Sequence, residues 1–442
     1  MYRSFIALLS ACIGVSTVAA AMQQADTAYF NGQILTVDAD DRVAQAVAVA
    51  DGRILAVGDN AAILKHVDAN TRQVDLDNQV MIPGFVDSHS HFLGVGVASR
   101  FLVNLNSPPI GDILTMDDIV KRLRTRAAQT PAGAMIVGWG YDDTLIKERR
   151  HPTRHDLDKA STDHPIVLRH VSGHLAAANS RAIDKAGITA DTPDPEGGVI
   201  RREPGTRVPN GVFEEMAGFL ILDSFYGPLE NAEWLDAVKE AAAIYVRAGV
   251  TTAQDGYQDK HGLAVLNEAA AKGLLPLRLV VFPGISVGLE MADGTYQIES
   301  ANPNRLTIGA VKTLADGSIQ GYTGYLGQPY HVPFHGDEEY HGYPNFPAEK
   351  LRGMLQTIHE AGMPLAIPGN GDAAIDDILD ALEHAQKVAP RENARPIIIH
   401  AQMSREDQLD RMAALGVIPS FFSLHTYYWG DRHRDIFMGP ER

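Results

Sequence analysis

The stretch from Met81 to Phe92, MIPGFVDSHSHF, decides the fold because an apolar run ends there in two histidines that are one residue apart. On an extended backbone, side chains two positions apart point to the same face, so His89 and His91 can both reach one metal ion. Imidazole nitrogens bind zinc at about 2.0–2.1 Å. We therefore interpret the two histidines as metal ligands, with a purely structural pair as the alternative.

The segment before this motif predicts a small N-terminal β domain over residues 22–82. Asn31-Gly32 and Asp51-Gly52 lie between short apolar stretches, which is typical of hairpin turns. The same segment leads directly into the apolar strand before His89.

Apolar strands alternate with amphipathic helices from about residue 231 onward, which predicts a parallel sheet covered by helices. We predict strands that end near Asp87, Ala253, Phe282, Lys312, Ile367, Ile399 and Phe422. This α/β pattern favours a (β/α)8-type TIM barrel over residues 83–442. Such a barrel needs eight strands, so the expectation is a barrel that lacks the eighth strand.

A region at about residues 104–230 is predicted to be inserted into this barrel. Ala134–Trp139 and Ile166–Val171 are apolar and predict strands. Thr192–Asn210 is rich in proline, glycine and charge, which predicts a loop.

Two further strand ends carry residues that can bind a cation, and active sites of such barrels lie at the carboxyl ends of the strands. Lys312 ends an apolar run, where a lysine is costly to bury unless it is paired or chemically modified. A carboxylated lysine could bridge two cations, and an ion pair with Asp316 is the alternative. His400 follows the apolar run Ile397-Ile-Ile. We interpret it as a metal ligand, with a hydrogen-bonded core histidine as the alternative.

The composition limits the kinds of partner. The 442 residues carry a formal net charge of −17. This argues against nucleic acid as a partner, because binding nucleic acid needs a clustered basic face.

Residues 1–21 combine Arg3, an apolar run and three small alanines, which predicts a cleaved secretory signal. The mature protein is then exported, periplasmic or extracellular, without a stable membrane span; a short membrane anchor is the alternative. The only cysteine, Cys12, lies in this segment, so metal ligands would be nitrogen and oxygen atoms.

Several ordered motifs together resemble one family. PGFVDSHSH, VKTLADGS, GNGDAAID and IIIHAQ follow one another as in the amidohydrolase superfamily, in particular the branch that includes N-substituted formamide deformylases. The inserted stretch RHVSGHLAAANSRAIDKAGI resembles the lid region of that branch. The resemblance implies a (β/α)8 barrel, a composite β-sandwich to which residues 22–82 contribute one half, and one or two divalent metal ions, usually zinc. It assigns His89, His91, Lys312 and His400 as metal ligands.

The sequence departs from the family pattern at two places. Pro368 stands where the family has a histidine on the fifth strand, and a proline ring cannot replace that ligand. The eighth-strand aspartate, which binds metal and moves protons in the family, has no counterpart in the sequence, which therefore resembles a C-terminally truncated member. Neither Asp316 nor Asp372 can be assigned that role, so the catalytic base is unknown.

The resemblance implies hydrolysis of a C–N bond outside peptides, in an amide or formamide-like small molecule, by a metal-activated hydroxide. His170 and His174 are candidate substrate contacts, with hydrogen bonds within the lid as the alternative. The association state is open, and a homo-oligomer is compatible with the sequence.

Two other functional readings follow from the residues. A truncated or degenerate homologue with little or no turnover is favoured by Pro368 and by the missing strand. Glycoside hydrolysis would need a converging carboxylate pair. Glu214 and Glu215 are adjacent and would diverge on a strand or a helix.

Overall fold

The computed structural model describes residues 22–222 and 229–442, which form two compact units, one up to Gly84 and one from Phe85 to Arg442. The secretory signal predicted for residues 1–21 lies outside the described residues. Within the described parts of the chain, no helix combines the length and the apolar character that a membrane crossing requires.

The first unit consists of two small sheets, ordered β5-β4-β1-β6 and β3-β2-β7. Its elements are β1 Thr27–Phe30, β2 Gln33–Leu35, β3 Val43–Ala44, β4 Ala46–Ala50, β5 Arg53–Gly58, α1 Asn60–Leu64, β6 Arg72–Asp75 and β7 Val80–Met81. The hairpin predicted at Asp51-Gly52 is confirmed: both residues have positive φ, and they join the paired strands β4 and β5. The hairpin predicted at Asn31-Gly32 is wrong, because β1 and β2 belong to different sheets. A turn signal fixes a change of direction, whereas the partner of each strand is fixed by distant residues.

The inserted region forms a sheet of its own in the second unit. The chain enters this unit through β8 Phe85–Val86 and α2 Phe92–Phe101, and the inserted elements are β9 Val103–Asn104, α3 Met116–Ala127, β10 Ile136–Tyr141, α4 Arg154–Asp158, β11 Ile166–His170, β12 Leu175–Ala178, α5 Ser180–Lys185, β13 Gly198–Arg202, β14 Pro209–Glu215 and α6 Met216–Leu222. Six of these strands pair in the order β13-β14-β12-β11-β10-β9. Both strands predicted in this region are confirmed as β10 and β11.

The loop predicted for Thr192–Asn210 is wrong in part, because it contains β13 and the start of β14, an antiparallel pair. Ile200 of β13 and Phe213 of β14 are buried in the same apolar cluster. The proline, glycine and charged residues that suggested a loop are concentrated in and before the hairpin turn. Burial of a few apolar side chains therefore outweighs the local composition.

Strands and helices then alternate as predicted. The elements are α7 Asn231–Arg247, β15 Val250–Gln258, α8 Lys260–Ala271, β16 Arg278–Pro283, α9 Ile285–Ala292, β17 Leu306–Ile308, β18 Val311–Lys312, a 3-10 turn Ile319–Gly321, α10 Ala348–Glu360, β19 Leu365–Gly369, α11 Asp372–Val388, β20 Ile397–His400, α12 Glu406–Leu415, β21 Ile418–Phe421, α13 Leu424–Arg432 and a π-helical turn His433–Phe437. The strands are apolar on both faces because both faces are covered: Ile367 and Ile398 pack with the helices, whereas Ala366 and Ile399 belong to a second cluster.

These strands form two parallel sheets, β8-β15-β16-β17 and β18-β19-β20-β21. The run predicted as one strand ending at Lys312 connects them, because β17 pairs with β16, whereas β18 pairs with β19. A parallel bridge between Gly284 and Lys312 continues the order from one sheet to the other. The carboxyl ends of the strands therefore follow one another in chain order along one edge, where the predicted ligands lie.

Helix α2 begins directly after His91, and its contact with α7 gives a test of the packing around this motif. A Cβ atom on Gly96 would lie 2.0 Å from the carbonyl oxygen of Ala237 in α7, whereas one on Gly94 would meet only the Cβ of His91, at 3.6 Å. We predict that Gly96→Ala lowers the free energy of unfolding by about 1–3 kcal/mol through overpacking.

Gly94→Ala in the same helix is the matched control, and we expect it to be neutral or to stabilise by up to about 1 kcal/mol. Thermal and denaturant unfolding of the two variants measures the difference. Equal stability of both variants would contradict the close contact between α2 and α7.

Candidate metal centre

His89 occupies the middle of a cluster of polar side chains at the strand ends, in which Lys312 is buried, His89 and His400 are half-buried, and His91 is exposed. Its ring centroid is 5.4 Å from that of His91, and its Nδ1 lies 2.7 Å from Oε1 of Gln254 in β15. The other amide atom, Nε2, donates to the carbonyl of Ser88, so Oε1 accepts and Nδ1 of His89 carries the hydrogen. The lone pair of His89 is therefore on Nε2. Burial, together with the charge of Lys312, lowers the pKa of His89 to about 3, so the imidazole is neutral.

Lys312 lies at the end of β18 with only 2% of its surface exposed, and its Nζ is 3.4 Å from Nε2 of His89. Burial lowers the pKa of this amine to about 7, an effect that the charge of Asp255 opposes. The ion-pair partner considered from the sequence, Asp316, instead accepts hydrogen bonds from the backbone N–H groups of Tyr325 (2.9 Å), Asn370 (3.0 Å) and Gly371 (2.7 Å).

His400 ends β20, with its ring centroid 5.6 Å from that of His89. Its φ of 67° lies in the left-handed region, which non-glycine residues rarely adopt. Its Nδ1 is buried and has no hydrogen-bond partner among residues 22–222 and 229–442. Burial lowers the pKa of His400 and of His91 well below the usual range, and the charge of Lys312 adds to this effect.

The structure thus brings the other three residues predicted as metal ligands, His91, Lys312 and His400, close to His89. Neutral imidazoles with unshared lone pairs suit zinc and similar divalent cations. A bound cation would also supply a partner for the buried Nδ1 of His400, which has none in the described part of the chain. The residues therefore fit a metal ion, and their ligand role stays a prediction.

Asp255 is a residue of this cluster that the sequence analysis missed. It is fully buried and accepts hydrogen bonds from the backbone N–H of Leu93 (2.8 Å) and from Nε2 of Gln258 (2.9 Å), and its backbone forms a bridge with His91. Burial raises its pKa to about 6. The predicted strand ended at Ala253, but β15 continues to Gln258. The sequence did contain a signal for Asp255, because a polar residue follows the apolar run closely, as it does at the other strand ends that carry predicted ligands.

His174 lies near the cluster and pairs with a carboxylate. Its Nδ1 is 2.8 Å from Oε2 of Glu215. Burial alone would lower the pKa of His174, but the Glu215 carboxylate more than offsets this and raises it. The charge of His174 contributes to the lowered pKa of both His91 and His400.

His170 belongs to a different cluster, so the two candidate substrate contacts are separated. Its Nδ1 accepts from Ser172, and its Nε2 donates to Oδ1 of Asp143 at 3.1 Å. Side-chain donor atoms of Asp142, Asp143 and His170 lie within 4.8 Å of one another, which makes these three residues a second candidate cation group. Asp142, however, already accepts from Thr144 and from Nε1 of Trp429 (3.1 Å).

Glu214 and Glu215 contact different partners, as expected for adjacent strand residues. Glu214 is bound by Arg201 and by the hydroxyl of Tyr343 (3.0 Å), whereas Glu215 binds His174. The two carboxylates do not converge as glycoside hydrolysis would require.

The fold and the cluster define an α/β protein with neutral imidazoles around a buried lysine at the carboxyl ends of parallel strands, an arrangement suited to holding a divalent cation. Residues 72–442 match the amidohydrolase family, and the chain belongs to that family. The family resemblance inferred from the sequence motifs is confirmed.

Two named relatives agree with this assignment, and two solved structures share the fold. The chain is 29% identical over 396 residues to the "Putative amidohydrolase YtcJ" of Bacillus subtilis (strain 168), covering 88% of this chain and 71% of that one. It is 28% identical over 406 residues to the N-substituted formamide deformylase of Arthrobacter pascens, covering 89% and 72%. Crystal structures of metal-dependent hydrolases from Pyrococcus horikoshii (TM-score 0.69, 23% identity, 91% of this chain and 76% of that chain) and Pyrococcus furiosus (0.67, 24%, 93% and 80%) share the fold. The fold is therefore of the TIM-barrel-like α/β type.

The hydrogen bond from His89 to Gln254 gives a test of the centre. Partners that orient a metal-binding histidine typically contribute 10–100-fold to metal affinity. We predict that Gln254→Leu weakens zinc binding by roughly this factor, whereas Gln254→Glu, which keeps an acceptor for Nδ1, retains it. Competition with a chromogenic chelator measures the affinities, and equal affinity for both variants would show that His89 does not bind the ion.

Proposed function

We propose that this protein is a metal-dependent hydrolase that cleaves a C–N bond outside peptides, in a small amide or formamide-like molecule. His89, His91, Lys312 and His400 would hold one or two divalent cations, zinc or another metal. The observation that carries the proposal is the convergence of the other three side chains on His89, in a chain of the amidohydrolase family. The formamide deformylase among the relatives supports the bond type.

The chemistry of the bound cation would be to lower the pKa of water from 15.7 to about 7 and to polarise the substrate carbonyl. The protein prepares for this by keeping the imidazoles neutral through burial and by orienting His89 through Gln254. Carboxylation of Lys312 requires a neutral amine, and its pKa of about 7 provides one near neutral pH.

His174 is proposed to bind the substrate carbonyl group. Because Glu215 occupies Nδ1 and raises the pKa of the ring, Nε2 keeps its hydrogen over a wider pH range and can donate it. His170 is proposed to act on substrate only indirectly, through the inserted sheet, since both of its nitrogens are already hydrogen-bonded.

Asp316 and Asp372 are better explained as anchors than as catalytic bases. Asp316 accepts three backbone hydrogen bonds. Asp372 accepts from the backbone of Gly327 (2.8 Å) and from Arg405 (3.1 Å). Each carboxylate fixes a loop that follows a strand.

We also propose, from residues 1–21, that the protein is exported. Export is compatible with a hydrolase and with a homologue that binds a cation without turnover.

One observation favours a second candidate function, a homologue that binds a cation without turnover. Pro368 lies in β19, beside Ile399 of β20 and one position before the residue that pairs with His400. It provides no donor atom at this strand end. Metal binding and turnover are therefore measured separately in the tests below.

We predict that chelation abolishes hydrolysis of N-butylformamide and of the matching acetamide, and that zinc restores it.

Lys312→Met should abolish turnover even with excess zinc, since it removes Nζ beside His89. Lys272→Met, which removes a surface lysine paired with Glu268, is the control and should keep full activity. Zinc binding without hydrolysis of either compound would favour the second candidate function.

We predict that His174→Gln raises KM about 10-fold or more and leaves the zinc content unchanged, because it removes a charged donor to substrate. His155→Gln, at a surface histidine paired with Glu203, is the control and should not change KM. Steady-state kinetics and metal analysis measure both effects. An unchanged KM with a lowered thermal midpoint would instead mean that His174 only holds the inserted region together.

A further inference from the structure

A cavity of about 270 Å³ lies in the second unit, between the inserted region and the segment that follows β18. The inserted region contributes Asp143 and Arg201 to its walls, and the segment after β18 contributes Gln320, Tyr322 and Phe334. None of the residues that line this cavity belongs to the candidate metal centre. The cavity is therefore a place where a ligand could bind independently of the metal.

Arg201 is fixed in the wall of the cavity with part of its guanidinium unused. Its Nε donates to Oε1 of Glu214, and its Cζ lies 5.2 Å from the ring centroid of Phe334. Only 16% of the side chain is exposed. Neither Nη1 nor Nη2 forms a hydrogen bond with residues 22–222 or 229–442. Such donors suit a carboxylate, which a guanidinium can bind through two parallel hydrogen bonds.

Two further arginines line the cavity but bind other groups. Arg150 forms a bidentate ion pair with Asp156 at 2.6 and 3.0 Å. Arg149 is exposed and donates to the backbone carbonyl of Thr144. Exposed charges contribute little to binding because water screens them. Arg201 is therefore the arginine of this cavity that is best placed to bind a ligand.

Asp143 supplies a negative charge to the same cavity. Its Oδ1 accepts from Nε2 of His170, whereas its Oδ2 lies 3.6 Å from Nε2 of His151, which is too far for a hydrogen bond. Burial lowers the pKa of His151 to about 3, although the charge of Asp143 opposes this effect, so the ring is neutral. In the described part of the chain, no lysine or arginine forms an ion pair with Asp143. A cationic group of a ligand would supply one.

The remaining wall combines one amide with apolar side chains. Gln320 is 4% exposed, and its buried Oε1 has no hydrogen-bond partner among the described residues. Buried polar atoms are otherwise almost always paired. Tyr322 stacks on Phe334 with ring centroids 4.9 Å apart, and Val212 adds a further apolar surface. The cavity thus offers a donor for an anion, acceptors for a cation and an apolar surface.

We propose that this cavity binds a small zwitterion, an α-amino acid with an apolar side chain. Its carboxylate would bind Arg201, its ammonium would bind Asp143 and Oε1 of Gln320, and its side chain would pack against Tyr322 and Val212. The charge of Asp143 disfavours a simple anion, and that of Arg201 disfavours a simple cation, so a ligand that carries both charges fits best. The proposal does not depend on the proposed function, because no metal ion takes part.

The test measures binding of L-leucine to the full chain by isothermal titration calorimetry. Free amino acids also bind metal ions, so the titration is made with the protein as purified and again after a chelator has removed the metal. We expect one equivalent to bind per chain with the same affinity in both cases. 4-Methylpentanoate lacks the ammonium group and 3-methylbutylamine lacks the carboxylate. Each should bind about 10-fold more weakly or worse, since each loses charge-assisted hydrogen bonds.

Two variants test the assigned contacts in the metal-free protein. Arg201→Lys keeps a positive charge beside Glu214 but loses the guanidinium fork, and it should weaken leucine binding about 10-fold. Arg207→Lys, at an arginine whose side chain is 70% exposed, is the matched control and should bind as wild type does. Asp143→Asn should remove the preference for leucine over 4-methylpentanoate. Thermal melts show whether each variant is folded.

The comparison of the three compounds on wild type decides the proposal even if a variant does not fold. If the metal-free protein binds no leucine, or binds it no more tightly than the two analogues, the inference is overturned. Binding that appears only with metal present also overturns it, because leucine would then bind at the metal centre. The proposed function stands or fails separately, through the dependence of hydrolysis on zinc.

Discussion

The burial of one amine among imidazoles is the constraint on which the site depends. Lys312 is almost fully buried next to His89, where a charge is costly unless it is compensated. Burial together with the charge of Lys312 lowers the pKa of His89 to about 3, and burial, opposed by the charge of Asp255, lowers that of Lys312 to about 7. The cluster therefore presents lone pairs instead of protons, and a cation is the ligand that such a cluster can bind.

Two buried carboxylates hold the loops that carry these side chains. Asp316 binds backbone N–H groups at Tyr325, Asn370 and Gly371, so it joins the loop after β18 to the loop after β19. Asp255 binds the N–H of Leu93 and thereby fixes the start of α2 directly behind His91. Both carboxylates are fully buried, and burial raises the pKa of each, to about 7 for Asp316 and about 6 for Asp255. The two carboxylates fix the backbone of these loops, and the fixed backbone sets the positions of the predicted ligands.

The sequence predicts those parts of the site that local pattern and strand position determine. His89, His91, Lys312 and His400 follow apolar runs, and parallel strands bring their carboxyl ends to one edge. Asp255 was missed because its role depends on contacts across the fold: β15 continues beyond its apolar part beside β16. The division of one predicted strand into β17 and β18 is likewise decided by two different partner strands.

Proximity of donor atoms alone does not identify a metal site in this protein. Donor atoms of Asp142, Asp143 and His170 lie within 4.8 Å of one another, yet His170 uses both nitrogens in hydrogen bonds and Asp142 uses both oxygens. These bonds connect the inserted sheet to Trp429 of α13 and explain the cluster as structural. At His400, by contrast, Nδ1 is buried and has no hydrogen-bond partner in the described part of the chain. A buried lone pair without a partner costs free energy that a bound cation would recover. Satisfaction of lone pairs, and not distance, is therefore the criterion that separates the two clusters.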